Sequence, residues 1–232
     1  MNNYIDTSFD FRSDSNGKNP DSYSPTLRRY HQILWSKSLP NGKELILNDE
    51  LINVSDAGRF TFSSDSIIHT FSRWKRYQDI ISQIPKEEID YFMYKGYTIG
   101  GMTIFPNNVV DGKMTINQYR GFNRKINDRI DLTLECIRLY YEGKESPLYE
   151  TFSLYDDFFK LFVDFKGYVD FFLFQDLVSD DYKLIKFLHP FESFDKSSLP
   201  KTKDEYLKYK NNTLEFIDKR NKRIENWVKS HL

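Results

Sequence analysis

The stretch Asn127–Glu142 reads NDRIDLTLECIRLYYE and carries the most informative helical pattern in the chain. When its residues are placed at about 100° each around a helix, the charged side chains form one stripe and apolar side chains occupy both flanks. Gly143 follows at the position where helices commonly end. Because apolar shoulders border the polar stripe on both sides, the pattern predicts a helix that faces a cleft or another element rather than open water.

The acidic residues of this stripe form the first candidate site. Several carboxylates on one helix face are able to bind a divalent cation such as Mg²⁺ or Mn²⁺, or to supply a general acid beside an ionised partner. We therefore predict Asp128, Asp131 and Glu135 as metal ligands, and Asp131 and Glu135 also as catalytic residues. The alternative is an internal ion-pair network, in which Arg138 bridges Asp131 and Glu135 or pairs with another helix.

Three short segments place basic residues beside aromatic ones near predicted helix starts. They are Leu27–His31 (LRRYH), Arg73–Tyr77 (RWKRY) and Tyr119–Lys125 (YRGFNRK). Arginine close to a helix N-terminus complements a phosphate oxygen, because the helix adds unpaired N–H groups and a positive dipole end. If the segments converge, they form a phosphate site; otherwise they are surface residues whose aromatic neighbours pack inward. The predicted phosphate-binding residues are Arg28, Arg29, Arg73, Arg76, Arg120 and Arg124.

Histidine is scarce, with four residues in the chain. His31 shares a face of the first predicted helix with Arg28 and Trp35, which makes it the best candidate for a catalytic acid or base. His69 precedes the second basic segment and ranks next. No pair of histidines has the spacing of metal ligands.

Composition and charge limit the classes of function. The 232 residues include 33 basic and 34 acidic ones, so the formal charge is −1 and bulk attraction to nucleic acid or anionic lipid is not expected. The single cysteine excludes an internal disulfide, and the segment MNNYIDTSFDF at 1–11 does not resemble a secretory signal, so we expect none. Charged residues interrupt the apolar stretch Phe152–Val178 too often for it to span a membrane as one helix. We therefore expect a cytoplasmic protein with no membrane association.

The order of patterns predicts a single α+β domain over residues 1–232, with a small, mainly antiparallel sheet packed by several helices. Apolar spacing predicts a C-terminal amphipathic helix over about 203–229. The other predicted helices are Pro25–Trp35, Trp74–Ile84, Lys86–Tyr94, and core helices within Phe152–Val178 that break near Gly167. The predicted strands are Phe9–Phe11, Glu44–Leu47, Arg59–Phe62, Lys183–Leu188, and a hairpin of Met102–Phe105 with Met114–Asn117.

Several runs resemble a bacterial family known only as a domain of unknown function. They are FDFR at 9–12, YSPTLRRYH at 23–31, YTIGG at 97–101, DRIDLTLECIR at 128–138 and GYVDFF at 167–172. The resemblance covers nearly the whole chain and implies a soluble bacterial protein. It transfers no catalytic residue, because the family carries no assigned activity.

The residues themselves favour a binder of a phosphate-bearing ligand, either nucleic acid or a nucleotide. The enzymatic extension is phosphodiester hydrolysis assisted by a divalent cation at the acidic stripe, with His31 taking part. The alternative is a non-enzymatic protein-interaction or regulatory module. In that case the acidic segment Tyr155–Asp181 and the basic segment from Lys201 onward are contact surfaces for a protein partner.

Overall fold

The computed structural model describes residues 5–48, 50–53, 55 and 57–231. Within these residues the chain forms a mostly helical body with two strands, β1 (Phe62–Ser66) and β2 (Met102–Pro106). The α-helices are α1 (Pro20–Tyr23), α2 (Pro25–Trp35), α3 (Gln78–Ile81), α4 (Lys86–Gly96), α5 (Ile116–Phe122), α6 (Ile130–Tyr141), α7 (Tyr149–Ser153), α8 (Asp156–Phe159), α9 (Phe165–Phe172) and α10 (Lys203–His231). Short 3-10 helices lie at Lys75–Tyr77, Ile99–Gly101, Lys160–Phe162 and Gln175–Leu177.

The small antiparallel sheet confirms the predicted fold class, but its pairing differs from the prediction. β2 pairs with β1, with Phe62 opposite Pro106 and Ser66 opposite Met102. The predicted hairpin of Met102–Phe105 with Met114–Asn117 is wrong. Thr115 instead begins α5 in a capping box, where its hydroxyl accepts the Gln118 N–H and the Gln118 side chain accepts the Thr115 N–H.

The other predicted strands are mostly absent from the described residues. Phe9–Phe11 lies in turns, and the predicted Arg59–Phe62 strand overlaps β1 only at Phe62. Glu44–Leu47 and Lys183–Leu188 each contribute an isolated bridge, Leu47 with Asn53 and Ile185 with Val178. Short alternating patterns without a paired neighbour are too weak to form a ladder.

Helices with local capping signals agree with their predictions. The Ser24 hydroxyl accepts the Leu27 N–H at the start of α2, and α10 extends over the predicted C-terminal segment.

Two other predicted helices differ from the structure. The helix predicted from Asn127 begins only at Ile130, because Asn127 and Asp128 have φ of 51° and 58°. The predicted Trp74–Ile84 helix is divided into a 3-10 turn and α3.

The break within Phe152–Val178 does not lie near Gly167. Val163 has a φ of 69°, which separates the 3-10 turn before it from α9. Asp164 then caps α9, since its carboxylate accepts the Gly167 N–H at 2.7 Å. Gly167 therefore lies in the first turn of a helix rather than at a break.

The buried Arg220 on α10 connects three parts of the body. Its guanidinium donates hydrogen bonds to the backbone carbonyls of Phe172, Gly100 and Met102. It also lies 4.0 Å from the ring centroid of Phe174. These contacts join α10 to the end of α9 and to the start of β2.

We expect Arg220→Lys to lower the free energy of unfolding by about 2–4 kcal/mol, because an ammonium group cannot reproduce this fork of bonds to buried carbonyls. Arg223→Lys on the same helix is the matched control. Arg223 pairs with Asp176 at a partly exposed position, so its replacement should cost about 1 kcal/mol or less. Urea denaturation of both variants measures the difference, and equal losses would contradict this role of Arg220.

Candidate functional site

The outer edge of β1 forms one wall of a cavity of about 550 Å³, which we call the polar cleft. The start of α1, residues 63–66 of β1 and the start of α5 surround it. Its lining is rich in hydroxyl, amide and carboxylate groups, among them those of Asp21, Ser64, Asp65, Ser66 and Asn117. A concave site with such groups suits a small polar ligand.

His31 lies fully buried behind this lining and holds two of its residues. Its Nε2 is 2.9 Å from the Ser64 Oγ and 3.2 Å from the Asp21 Oδ1. Its Nδ1 accepts a hydrogen bond from the Trp35 indole at 3.4 Å, so in the neutral ring Nε2 carries the proton. The second Asp21 oxygen accepts the Ser64 backbone N–H at 2.9 Å. His31 therefore positions Asp21 and Ser64 at the cleft.

Asp65 is the most perturbed group of the cleft. Burial raises its pKa to about 6, although the Arg120 guanidinium, 3.1 Å away, opposes the shift. Asp65 can therefore exchange a proton near neutral pH, as a general acid or base requires. Sequence reasoning missed it. The available signal was the polar run SSDS at 63–66, which lacks the apolar alternation of a half-buried strand.

Arg120, predicted as a phosphate ligand, is completely buried. Besides Asp65, it donates to the Thr133 hydroxyl and to the Asp128 backbone carbonyl, each at 3.0 Å. The structure therefore places Arg120 beneath the cleft, where it anchors Asp65 to the start of α6 and is not available to a ligand.

The predicted acidic stripe is divided between separate environments. Asp131 is fully buried, forms an ion pair with Arg129 and accepts the Leu188 N–H at 2.9 Å. Glu135 pairs with Arg138, which also pairs with Glu142. Within the described part of the chain, no three His, Cys, Asp or Glu side chains are grouped so that they could hold a metal ion. The arrangement matches the ion-pair alternative, with Arg129 rather than Arg138 as the partner of Asp131.

A second cavity of about 380 Å³, the basic pocket, adjoins the polar cleft, because Ser66 and Tyr97 line both. Arg73 is exposed at this pocket and makes no hydrogen bond or ion pair with any other described residue. Arg12 also lines it, 3.7 Å above the Tyr97 ring and paired with Asp10. The pocket's remaining polar groups include His69, Ser72 and Asp128.

His69 and Asp128 add one donor and one acceptor to the basic pocket. Burial lowers the pKa of His69 and so favours the neutral ring. Its Nδ1 accepts the Phe71 N–H at 2.9 Å, so in the neutral ring Nε2 carries the proton and is a donor. The Asp128 Oδ1 is buried without a hydrogen-bond partner among the described residues. A buried acceptor in this state is suited to a donor group on a ligand.

The six predicted arginines do not converge on one cavity. Arg73 lines the basic pocket, whereas Arg124 lines a separate cavity of about 860 Å³. Arg76 is exposed and lies 4.4 Å from the Trp74 ring centroid. Arg28 and Arg29 lie on α2. Arg28 donates to the Ser22 carbonyl, and Arg29 is partly exposed.

The chain belongs to the family DUF6994, described as a family of unknown function, whose model matches residues 5–224. This confirms the resemblance to a family known only as a domain of unknown function. No curated protein and no solved structure matches the chain. Among the described helices, none combines the length and the apolar character that crossing a bilayer requires.

We expect the Asp65 carboxyl to titrate with a midpoint near pH 6 in the folded protein. Carbon-13 NMR of the carboxyl carbon measures this directly, and Asp65→Asn assigns the signal. Asp181 is an internal control, since its hydrogen bond from Ser179 lowers its pKa below the ordinary value for aspartate, which is about 3.9. A midpoint for Asp65 near that of Asp181 would contradict the burial argument.

Proposed function

We propose that the protein binds a small phosphate-bearing, hydroxyl-rich compound, such as a sugar phosphate or a nucleotide, across the polar cleft and the basic pocket. The main support is that the two cavities adjoin, since Ser66 and Tyr97 line both. The polar cleft presents carboxylates, hydroxyls and amides, and the basic pocket presents Arg12 and Arg73. Their volumes of about 550 and 380 Å³ lie in the range of small-molecule sites.

Arg73 is the proposed phosphate ligand. A guanidinium forms strong, frequently bidentate hydrogen bonds with phosphate, and Arg73 has no competing carboxylate partner among the described residues. Arg12 is already paired with Asp10 and contributes mainly to the shape of the pocket beside Tyr97. Of the six arginines predicted from the sequence, Arg73 is thus the one that we assign to phosphate.

The polar cleft supplies partners for ligand hydroxyl groups. The Asn117 Nδ2 donates to the Ser63 carbonyl and hydroxyl, and its Oδ1 is buried without a partner among the described residues. Asp21 is held as an acceptor by His31 and the Ser64 N–H. Acceptors that are fixed by the fold bind O–H donors with little further loss of conformational entropy.

Proton transfer, in this proposal, is assigned to Asp65. It lines the cleft and its pKa lies near 6, whereas His31 and Asp131 are fully buried. A group with a pKa near the working pH is the best general acid or base. Hydrolysis assisted by Mg²⁺ or Mn²⁺ is not included, because the described residues hold no group of three metal-ligating side chains.

We expect Arg73→Ala to weaken binding of ribose 5-phosphate and of AMP about tenfold or more, because a charge-assisted hydrogen bond contributes about 1.5–3 kcal/mol. Binding of ribose and adenosine, which lack the phosphate, should change little. Isothermal titration calorimetry measures all four ligands. Arg76→Ala is the matched control, since Arg76 is three residues away and does not line the basic pocket.

Equal losses in Arg73→Ala and Arg76→Ala would contradict the assignment of phosphate to the pocket. A single-stranded oligonucleotide provides the opposing test. If it binds with a steep salt dependence and loses affinity equally in Arg73→Ala, Arg76→Ala and Arg124→Ala, nucleic-acid binding on an open surface is favoured instead.

The alternative function is a protein-interaction module that uses the acidic and basic segments as contact surfaces. The structure weakens the support that these segments give to it. Arg223 of the basic segment pairs with Asp176 of the acidic segment, at 2.9 Å, so these segments partly neutralise one another within the chain. Absence of binding by all four small ligands and by the oligonucleotide would favour this alternative over the proposed function.

A further inference from the structure

Lys37 lies just after α2 and reaches the C-terminal end of α9. Its Nζ donates to the backbone carbonyls of Phe171 and Asp170, the latter at 3.4 Å. It also lies 4.8 Å from the ring centroid of Phe171 and 5.0 Å from that of Trp227 on α10. The carbonyls at a helix end lack partners within the helix, so capping α9 is one role of this side chain.

Lys37 also lines a cavity of about 610 Å³ that shares no lining residue with the polar cleft or the basic pocket. Aromatic rings of Phe162, Phe171 and Trp227 form part of its wall. The Lys37 side chain is partly buried and desolvated, and it still lines the cavity, where a small molecule can reach its amine. Desolvated lysines of this kind are the ones that act as nucleophiles in proteins.

The charges around Lys37 favour the neutral amine. Burial lowers its pKa to about 8, and the buried Arg220 acts in the same direction, whereas Asp170 opposes the shift. Lys166 and Asp164 also line the cavity, and Lys166 forms an ion pair with Asp170. At pH 7.5 about a quarter of Lys37 would be neutral, compared with roughly one in a thousand for an ordinary lysine.

The hydrogen bonds of Nζ are compatible with the neutral form. A neutral amine has two N–H groups and one lone pair. The carbonyls of Phe171 and Asp170 accept both N–H groups, and the lone pair then needs no partner. An ammonium group would have a third N–H, for which the described residues provide ring faces but no further carboxylate or carbonyl acceptor within hydrogen-bond distance.

We propose that the Lys37 amine forms a Schiff base with an aldehyde that enters the cavity between α9 and α10. The Nζ lone pair adds to the carbonyl carbon, and a proton passes from nitrogen to the former carbonyl oxygen to give a carbinolamine. Loss of that hydroxyl with a second nitrogen proton, as water, leaves a carbon–nitrogen double bond. The aromatic wall favours an aldehyde with an apolar body, and no further reactant is needed.

Reductive trapping of the full-length protein tests this assignment. Benzaldehyde is added at pH 7.5 with sodium cyanoborohydride, which transfers hydride to the imine, and the benzylated lysines are quantified by peptide mass spectrometry. Lys37 should react at least tenfold faster than Lys166. Lys166 lines the same cavity but is exposed, and its ion pair with Asp170 raises its pKa. In urea the two rates should become similar.

Two variants complete the experiment. Lys37→Arg retains the positive charge and hydrogen-bond donors for the α9 carbonyls, and it should abolish the fast labelling while thermal melting shows that the protein is folded. Lys166→Arg should leave the fast labelling of Lys37 unchanged. A Lys37 rate no higher than that of Lys166 in the folded protein would overturn the proposal, as would an advantage that persists in urea.

Discussion

The fold depends on the buried guanidinium of Arg220, which has no carboxylate partner among the described residues. Arg220 is surrounded by the backbone carbonyls of Phe172, Gly100 and Met102, whose dipoles replace the water that burial removes. Gly100 has no side chain because a Cβ atom there would lie 2.6 Å from the Asn221 Oδ1 on the same helix. Gly100 is thus explained by close packing against α10, whereas a Cβ atom at Gly101 would clash with the backbone of Lys95 and Gly96 at the end of α4. β2 begins at Met102, directly after these glycines, and β1 pairs with β2. Because the polar cleft lies along β1, the contact of Arg220 with Gly100 and Met102 helps to fix its position.

Two other buried arginines, Arg120 and Arg129, are also fully engaged by groups of the protein itself. Arg120 anchors Asp65, and Arg129 pairs with Asp131 while donating to the Ser198 carbonyl. Removing either partner would leave an uncompensated buried charge, which is strongly destabilising. The side chains of Arg120 and Arg129 are completely buried, so they stabilise the interior and are not available to a ligand. That is why Arg73, at the edge of a pocket and without such a partner among the described residues, carries the proposed phosphate contact.

Features determined within a few residues were predictable from the sequence, and features that depend on distant contacts were not. The Ser24 cap of α2 and the apolar spacing of α10 are local, and both helices were predicted. The pairing of β1 with β2 joins residues about forty positions apart, and nothing near Met102 distinguishes that partner from the segment at 114–117. Likewise, the sequence placed Arg120 in a basic segment but could not show that Asp65 and Thr133 enclose it.

Asp65 and Lys37 were missed for the same reason, since their properties arise from burial by distant elements. The two groups also impose opposite pH-dependent costs on folding. The raised pKa of Asp65 disfavours its charged form, so this cost develops as the pH rises from about 4 to 6. The lowered pKa of Lys37 disfavours its ammonium form, so this cost develops as the pH falls from about 10.4 to 8. Near pH 7 the fold therefore carries both costs at once. The two costs are offset differently, because the Asp65 carboxylate compensates the buried charge of Arg120, whereas Lys37 gains hydrogen bonds to the carbonyls at the end of α9.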